Sequence, residues 1–285
     1  MGAFLHRHRS LTPYLLLGPG LLWLGIFFLI PLGFLGYESL QSGVFPSFQF
    51  TWEFSNFSNG IRDYHEQFVR SFVYAGLATV ACLLLAYPLV YWIAFRAGRW
   101  RNLFLLAIVA PFFVTYLVRT LAWLNILADQ GPVVGLLRDL HILAPDGRLL
   151  ATTFAVVSGI TYNFFPFMAL PIYVSLEQID PRLLEAAKDL YASPTKAFLR
   201  VTLPLSAPGI VAGTLLTFIP AAGDFINAAL LGTPKQTMIG NVIQAKFLES
   251  LDYPMAASLS FLLMGAILVT LLVYARIVGT EKLTG

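Results

Sequence analysis

Charge is what this chain has least of. Only 12% of its residues are Asp, Glu, Lys or Arg, against roughly 25% in an ordinary soluble domain. With 58% of the residues hydrophobic, a water-soluble fold of this length is excluded, because it would have to expose large apolar patches. Cysteine is almost missing. Cys82 stands alone, which rules out an intrachain disulfide and a thiolate metal cluster and leaves the redox compartment open. Histidine is scarce too: His6, His8, His65 and His141 all lie outside the long apolar runs, and no H-E-x-x-H spacing occurs. Paired carboxylates and a nucleophile beside a base are likewise missing, so the chain carries no legible enzyme chemistry. The phosphate-cradling spacing G-x-x-x-x-G-K-[ST] is absent as well. Gly232–Thr237, "GTPKQT", lacks it and reads as a turn. No internal repeat, low-complexity tract or separate soluble domain interrupts the chain, and residues 1–285 read as one membrane domain.

What is present is apolar length. Mean hydropathy is +0.74. No charge occurs between Arg9 and Glu38, Arg70 and Arg96, Arg148 and Glu177, Arg200 and Asp224, or Asp252 and Arg276. A sixth run, residues 103–127, is interrupted only by Arg119. A helix needs about 20 apolar residues to cross the hydrocarbon layer, so the expectation is an all-α integral membrane protein with six spans. They are placed at about 13–37, 71–95, 103–127, 151–176, 205–230 and 255–278. Short alternating segments of a membrane barrel are not seen. The first run is too long for the apolar core of a signal peptide and is expected to be a retained helix.

Lysine and arginine in short loops stay on the cytoplasmic side. With the N-terminus inside, the inner segments hold eleven of the 18 basic residues: Arg7, Arg9, Arg96, Arg99, Arg101, Arg182, Lys188, Lys196, Arg200, Arg276 and Lys282. The outer loops hold only Arg62, Arg70, Arg138, Arg148, Lys235 and Lys246. Both termini are therefore expected to be cytoplasmic. The outer loops fall at about 39–69, 129–150 and 232–254. Asn56-Phe57-Ser58 in the first of them fits a glycosylation sequon, a motif short enough to arise by chance.

The longest inner loop, 177–204, is unlike the rest. Asp180, Arg182, Glu185, Lys188, Asp189 and Lys196 crowd into it. Asp180 followed by Pro181, and Ser193 followed by Pro194, are two successive helix starts. In the first helix Leu183, Leu184, Ala187, Leu190 and Tyr191 share a stripe, with Arg182, Glu185 and Asp189 on another face. One face is expected to pack and the other to be offered. An interfacial helix lying on lipid headgroups would carry a basic polar face. This face is mixed in sign, which favours a protein partner.

Glu185-Ala186-Ala187, followed at matching spacing by Val201 and Leu203-Pro204, resembles the "EAA" signature of the permease subunits of ATP-binding-cassette importers. "PFFVTYLVRTLAW", "NFFPFMALPIYVSLEQID", "IPAAGDFINAALLG" and "IGNVIQAKFLESLDYPMAASLS" look like the spermidine/putrescine branch of that family. The resemblance runs from about residue 70 to the end. It implies a type I ABC importer permease fold, with a cytoplasmic coupling helix between helices 4 and 5 and a polyamine cargo. It assigns Glu185, Ala186, Ala187, Asp189, Tyr191, Leu203 and Pro204 to coupling with an ATPase. It also implies two copies of a cytoplasmic ABC ATPase that bind ATP and Mg, since this chain itself has no cofactor. A second homologous permease would complete the pore, and an extracytoplasmic solute-binding protein would deliver cargo. Membrane lipid is the only other expected contact, and nucleic acid is not. The family glycine falls on Tyr191. Either Tyr191 continues the helix and the break moves to Ala192-Ser193, or its ring replaces the turn by packing on the ATPase.

Ionisable groups inside spans are costly and are by default paired or functional. Arg119 and Asp224 are expected at comparable depth. They form a structural ion pair on one reading and line the substrate path on the other. Tyr116, Arg119 and Trp123 share a helix face, as do Asp224 and Asn227. A carboxylate beside aromatic rings suits an ammonium group; an arginine does not, unless Asp224 neutralises it or it belongs to a gate. Tyr162 and Asn163, just before Pro166, are further path candidates, with plain helix packing as the alternative. The competing functions are an ion-gradient-driven secondary transporter or channel subunit, which needs its own coupling-ion site, and a scaffold protein, which predicts no flux.

Overall fold

The computed structural model describes residues 12–278. His6, His8, Arg7, Arg9 and Lys282, which enter the sequence reading, lie outside the described residues. Backbone proximity groups the described chain into two units. One runs to Asp63 and includes Ala245–Leu262; the other is Tyr64–Gln244 with the segment from Leu263 onward.

The first unit begins with α1 (Thr12–Leu24), a wider π turn (Gly25–Leu29) and α2 (Ile30–Ser39). From Leu17 to Tyr37 most of its large apolar side chains are exposed, as suits a helix bathed in lipid. The aromatic loop after α2 folds into a two-stranded antiparallel hairpin, β1 (Gln41–Val44) and β2 (Ser47–Phe50), in register Gln41 to Phe50. This hairpin is the one departure from an all-helical chain among the described residues. Its turn chemistry, Phe45-Pro46 after Gly43, was the available signal. The sequon residue Asn56 donates its amide to the Ser39 carbonyl (3.0 Å) and the Gln41 carbonyl (2.9 Å). That side chain therefore fastens the hairpin to the start of α3 (Ser55–Arg96).

The second unit continues α3 and adds α4 (Arg101–Val109), α5 (Tyr116–Leu127), α6 (Pro132–Asp139), α7 (Thr153–Glu177), α8 (Pro181–Asp189) and α9 (Pro194–Ala197). Then come α10 (Leu203–Leu205), α11 (Ala207–Ala222), α12 (Ile226–Leu231), α13 (Ile239–Leu248) and α14 (Tyr253–Val278). The last two, like α3, have residues in both units. Among the described residues, four helical stretches are long and apolar enough to cross a membrane, or up to six if each of two bent pairs is one span. In the third run, Val114 and Thr115 are both extended (ψ 137° and 149°), and the chain bends by 98°. Pro111, which has no N–H to give a preceding turn, opens that bend. In the fifth, a 61° bend separates the segment ending at Leu205 from α11.

α7 is the axis of this unit. Ile160, Met168, Ile172 and Leu176 are fully buried along it. α11 lies against α7 because Gly209 and Gly213 offer no side chain. A Cβ on Gly213 would sit 2.9 Å from Met168 Sδ and 3.0 Å from its carbonyl, and one on Gly209 would strike the Pro171 carbonyl. Close backbone approach at small residues is how helices gain packing where lipid removes the hydrophobic drive.

Candidate functional site

Two sites emerge, one inside the helix bundle and one on the loop 177–204. The first is a polar knot joining α5, α7 and α12. α11 ends at Ala222, Gly223 and Asp224 leave helical geometry, and α12 restarts two residues later. Asp224 therefore sits in a break and not within a continuous span. Its Oδ1 accepts the Asn227 backbone N–H at 2.8 Å, a carboxylate at a helix start, where the dipole favours negative charge. Its Oδ2 accepts from Asn227 Nδ2 at 2.8 Å and from the Tyr116 hydroxyl. Asn227 Nδ2 also donates to the Tyr116 oxygen at 2.6 Å. Asn163 Nδ2 reaches Thr120 Oγ1 at 3.2 Å and Asn227 Oδ1 at 3.3 Å, and Thr120 donates to the same Asn227 oxygen at 3.4 Å. Asp224 is only 6% exposed. Behind it, Gly240 lets α13 start against the break, since a Cβ there would lie 2.6 Å from the Gly223 carbonyl.

Arg119 is 8% exposed, yet it forms no ion pair with Asp224. No such contact within 4.0 Å occurs among the described residues, and its Nε and Nη1 have no hydrogen-bond partner. The ion-pair expectation is corrected. The two charges hold opposite ends of Tyr116: the carboxylate takes its hydroxyl, while the guanidinium carbon lies 5.6 Å from its ring centre and 4.8 Å from that of Phe112. Phe112 packs edge-on against Phe167 (5.1 Å), Phe167 on Phe164 (6.1 Å), and Phe164 on Tyr116 (6.0 Å). The guanidinium thus lies against two rings of a linked set of four.

The structure divides the remaining path candidates. Trp123 packs on Tyr162 at 5.6 Å. Tyr162 turns from its neighbour Asn163 to line an apolar cavity of about 380 Å³ with Phe104, Pro111 and Pro166. Thr120, Phe112, Phe164 and Phe167 were missed. Thr120 could have been found from its i+4 spacing to Tyr116; the rings could not, because the 98° bend sets their grouping.

On the loop 177–204, Asp180 accepts the Arg182 N–H at 2.9 Å and Ser193 the Lys196 N–H at 3.4 Å, so both expected helix starts are capped. α8 closes with two turn bonds, Ala192 N–H to Ala187 O (3.0 Å) and Tyr191 N–H to Lys188 O (2.8 Å). Tyr191 itself takes the left-handed conformation, φ 57°. The helix does not run on through Tyr191 to a break at Ala192-Ser193. The glycine-type turn is kept, at a cost of roughly 1–2 kcal/mol for a residue with a Cβ. The apolar stripe is also corrected. Only Leu184 and Ala187 pack inward, while Leu183 is exposed, Leu190 is 82% exposed and Tyr191 98% exposed. Glu185, Ala186 and Asp189 are exposed beside them, and Leu203 and Pro204 lie beyond a π turn, Phe198–Thr202. Phe198 is held edge-on by Tyr87 (5.6 Å) and Tyr91 (5.8 Å) of α3, and the Tyr87 hydroxyl meets Ser206 Oγ at 2.8 Å. The loop is thereby tied to the bundle.

A bundle of broken spans with a capped helix pair projecting from the loop 177–204 is the fold of a type I ABC importer permease. Residues 62–278 match the family model "Binding-protein-dependent transport system inner membrane component", and the chain belongs to that family. It is a multi-pass membrane pore component. Among its relatives is the spermidine/putrescine transport system permease protein PotB of Haemophilus influenzae, 38% identical over 256 residues, covering 89% of this chain and 90% of that one. The Escherichia coli K12 protein of the same name is 38% identical over 213 residues, 75% of this chain and 78% of the other. A bacterial alginate ABC transporter, solved with a pentasaccharide-bound periplasmic protein, superposes with a TM-score of 0.75 over 100% of this chain and 99% of that one, at 19% identity.

Proposed function

We propose that this chain forms half of the pore of an importer for polyamines, driven by a separate ATPase. The observation that carries the cargo assignment is the 38% identity, across 89% of the chain, to a permease named for spermidine and putrescine. Two ring faces against a cation, Phe112 and Tyr116, beside a buried carboxylate, support it, because ring faces and carboxylates are what attract ammonium groups. A second homologous permease completes the pore. Two ATPase copies bind ATP and Mg, and a binding protein delivers cargo from outside. Both termini and the loop 177–204 face the cytoplasm, as the excess of basic residues on that side supports. Residues 1–285 act as one permease domain. Glu185, Ala186, Ala187, Asp189 and Tyr191 contact the ATPase, with Leu203 and Pro204 passing its movement to α11.

Reconstitution of the four-component complex in proteoliposomes tests this. Uptake of labelled spermidine or putrescine should require ATP, the ATPase and the loaded binding protein together. Uptake that follows an ion gradient without the ATPase, or a complex that carries other solutes but no polyamine, refutes the assignment.

A further inference from the structure

The guanidinium of Arg119 occupies a place that its own side chain does not explain. Two of its nitrogens are buried without partners, and an unpaired buried charge is among the most unfavourable arrangements in a protein. A nearby carboxylate exists, but Asp224 is committed to Tyr116 and Asn227. What receives Arg119 is the faces of Phe112 and Tyr116, joined into one aromatic set by Phe167 and Phe164, and ring faces are what hold organic ammonium ions. The set is not sealed. Phe112 and Phe167 are partly open on their outer side, and Phe113 beside them is largely exposed. Its walls also come from both arms of the 98° bend: Phe112 precedes Val114-Thr115, while Tyr116 and Arg119 follow it. Any change in that bend changes the set and the position of the arginine together.

We propose that Arg119 is a built-in plug: in this conformation its guanidinium fills an aromatic cage that receives an ammonium group of the cargo once the arginine withdraws. The two cations exclude each other, so the cage is closed to cations while Arg119 is seated. The cargo chemistry rests on the polyamine reading above, but the plug can be tested without it, using tetramethylammonium as the probe.

The complete complex is reconstituted without ATP, and leak of tetramethylammonium and of glucose is followed from loaded proteoliposomes. Replacing an orphaned buried charge with an apolar side chain relieves desolvation, so Arg119→Leu should assemble and melt at or above wild type. It should raise tetramethylammonium leak about tenfold, the scale of a desolvated cation–ring contact, with glucose leak unchanged. Arg119→Lys keeps a cation in the cage and should stay near wild type. Adding Phe112→Leu to Arg119→Leu should return the leak toward wild type. The plug is refuted if Arg119→Leu fails to assemble, if it assembles without leaking, if glucose leaks equally, or if Arg119→Lys leaks as much. A wild-type complex that carries no polyamine while Arg119→Leu still leaks tetramethylammonium would refute the cargo assignment alone.

Discussion

Asp224 separates two kinds of substitution that a simple charge argument would treat alike. The carboxylate accepts three hydrogen bonds, from the Tyr116 hydroxyl, Asn227 Nδ2 and the Asn227 backbone N–H. Asp224→Ala removes every acceptor. Leaving a buried donor unsatisfied costs about 1–3 kcal/mol, so three of them, partly relieved by relaxation, give roughly 3–6 kcal/mol. Asp224→Asn keeps one carbonyl oxygen, and asparagine caps a helix about as well as aspartate. Its new NH2, however, must face the Asn227 amide or the Tyr116 hydroxyl, and the loss should be about 1–3 kcal/mol. Thermal unfolding of the purified complex in detergent reads both. The expected order is wild type, Asn, then Ala, and Asn should impair ATP-driven uptake more than it impairs assembly. If Asp224→Ala melts with Asp224→Asn, or above it, the acceptor count does not hold this break together. A Tyr116→Phe, Asp224→Asn double-mutant cycle would then show no coupling, whereas shared bonds predict a coupling of at least about 0.5 kcal/mol.

Tyr191→Gly removes the left-handed strain and should leave assembly with the ATPase detectable by co-purification while stabilising the loop by roughly 1 kcal/mol; abolished assembly would mean the ring itself is the essential contact. Gly213→Leu places side-chain atoms where Met168 Sδ and its backbone already lie. It should cost at least about 1–3 kcal/mol in thermal unfolding, and a neutral result would mean that α7 and α11 are not closely packed. The Arg101–Glu177 pair, 2.7 Å apart but nearly half exposed on each side, should contribute less than about 1 kcal/mol. Arg101→Ala should therefore leave the melting temperature nearly unchanged, and a large drop would assign that pair a structural role.

The apolar runs and the capped loop were legible because each depends on local sequence: length without charge, and Asp-Pro or Ser-Pro at a helix start. What was not legible depends on where segments meet. Arg119 and Asp224 read as a natural pair because both are ionisable and at similar depth. The 98° bend at Val114-Thr115 and the break at Gly223-Asp224 instead put Tyr116 between them. Asn163 read as a path candidate and Thr120 sits one turn from Tyr116, but their bonds to Asn227 across three helices are not a matter of spacing on one element. The hairpin at Gln41–Phe50 is short enough for its alternation to be lost among aromatic residues. Tyr191 shows the opposite case, in which the turn persists although its residue argues against it, because the two closing bonds from Tyr191 and Ala192 outweigh the strain.

The exposed pair Leu190 and Tyr191 also bears on how much of this chain a cell can keep. A copy synthesised without its partners carries two large side chains on a strained turn that none of the described residues covers. Uncovered apolar knobs are what chaperones retain and proteases cut. Surplus permease should therefore be short-lived, so the steady-state amount is set by the supply of partners and not by its own gene dose.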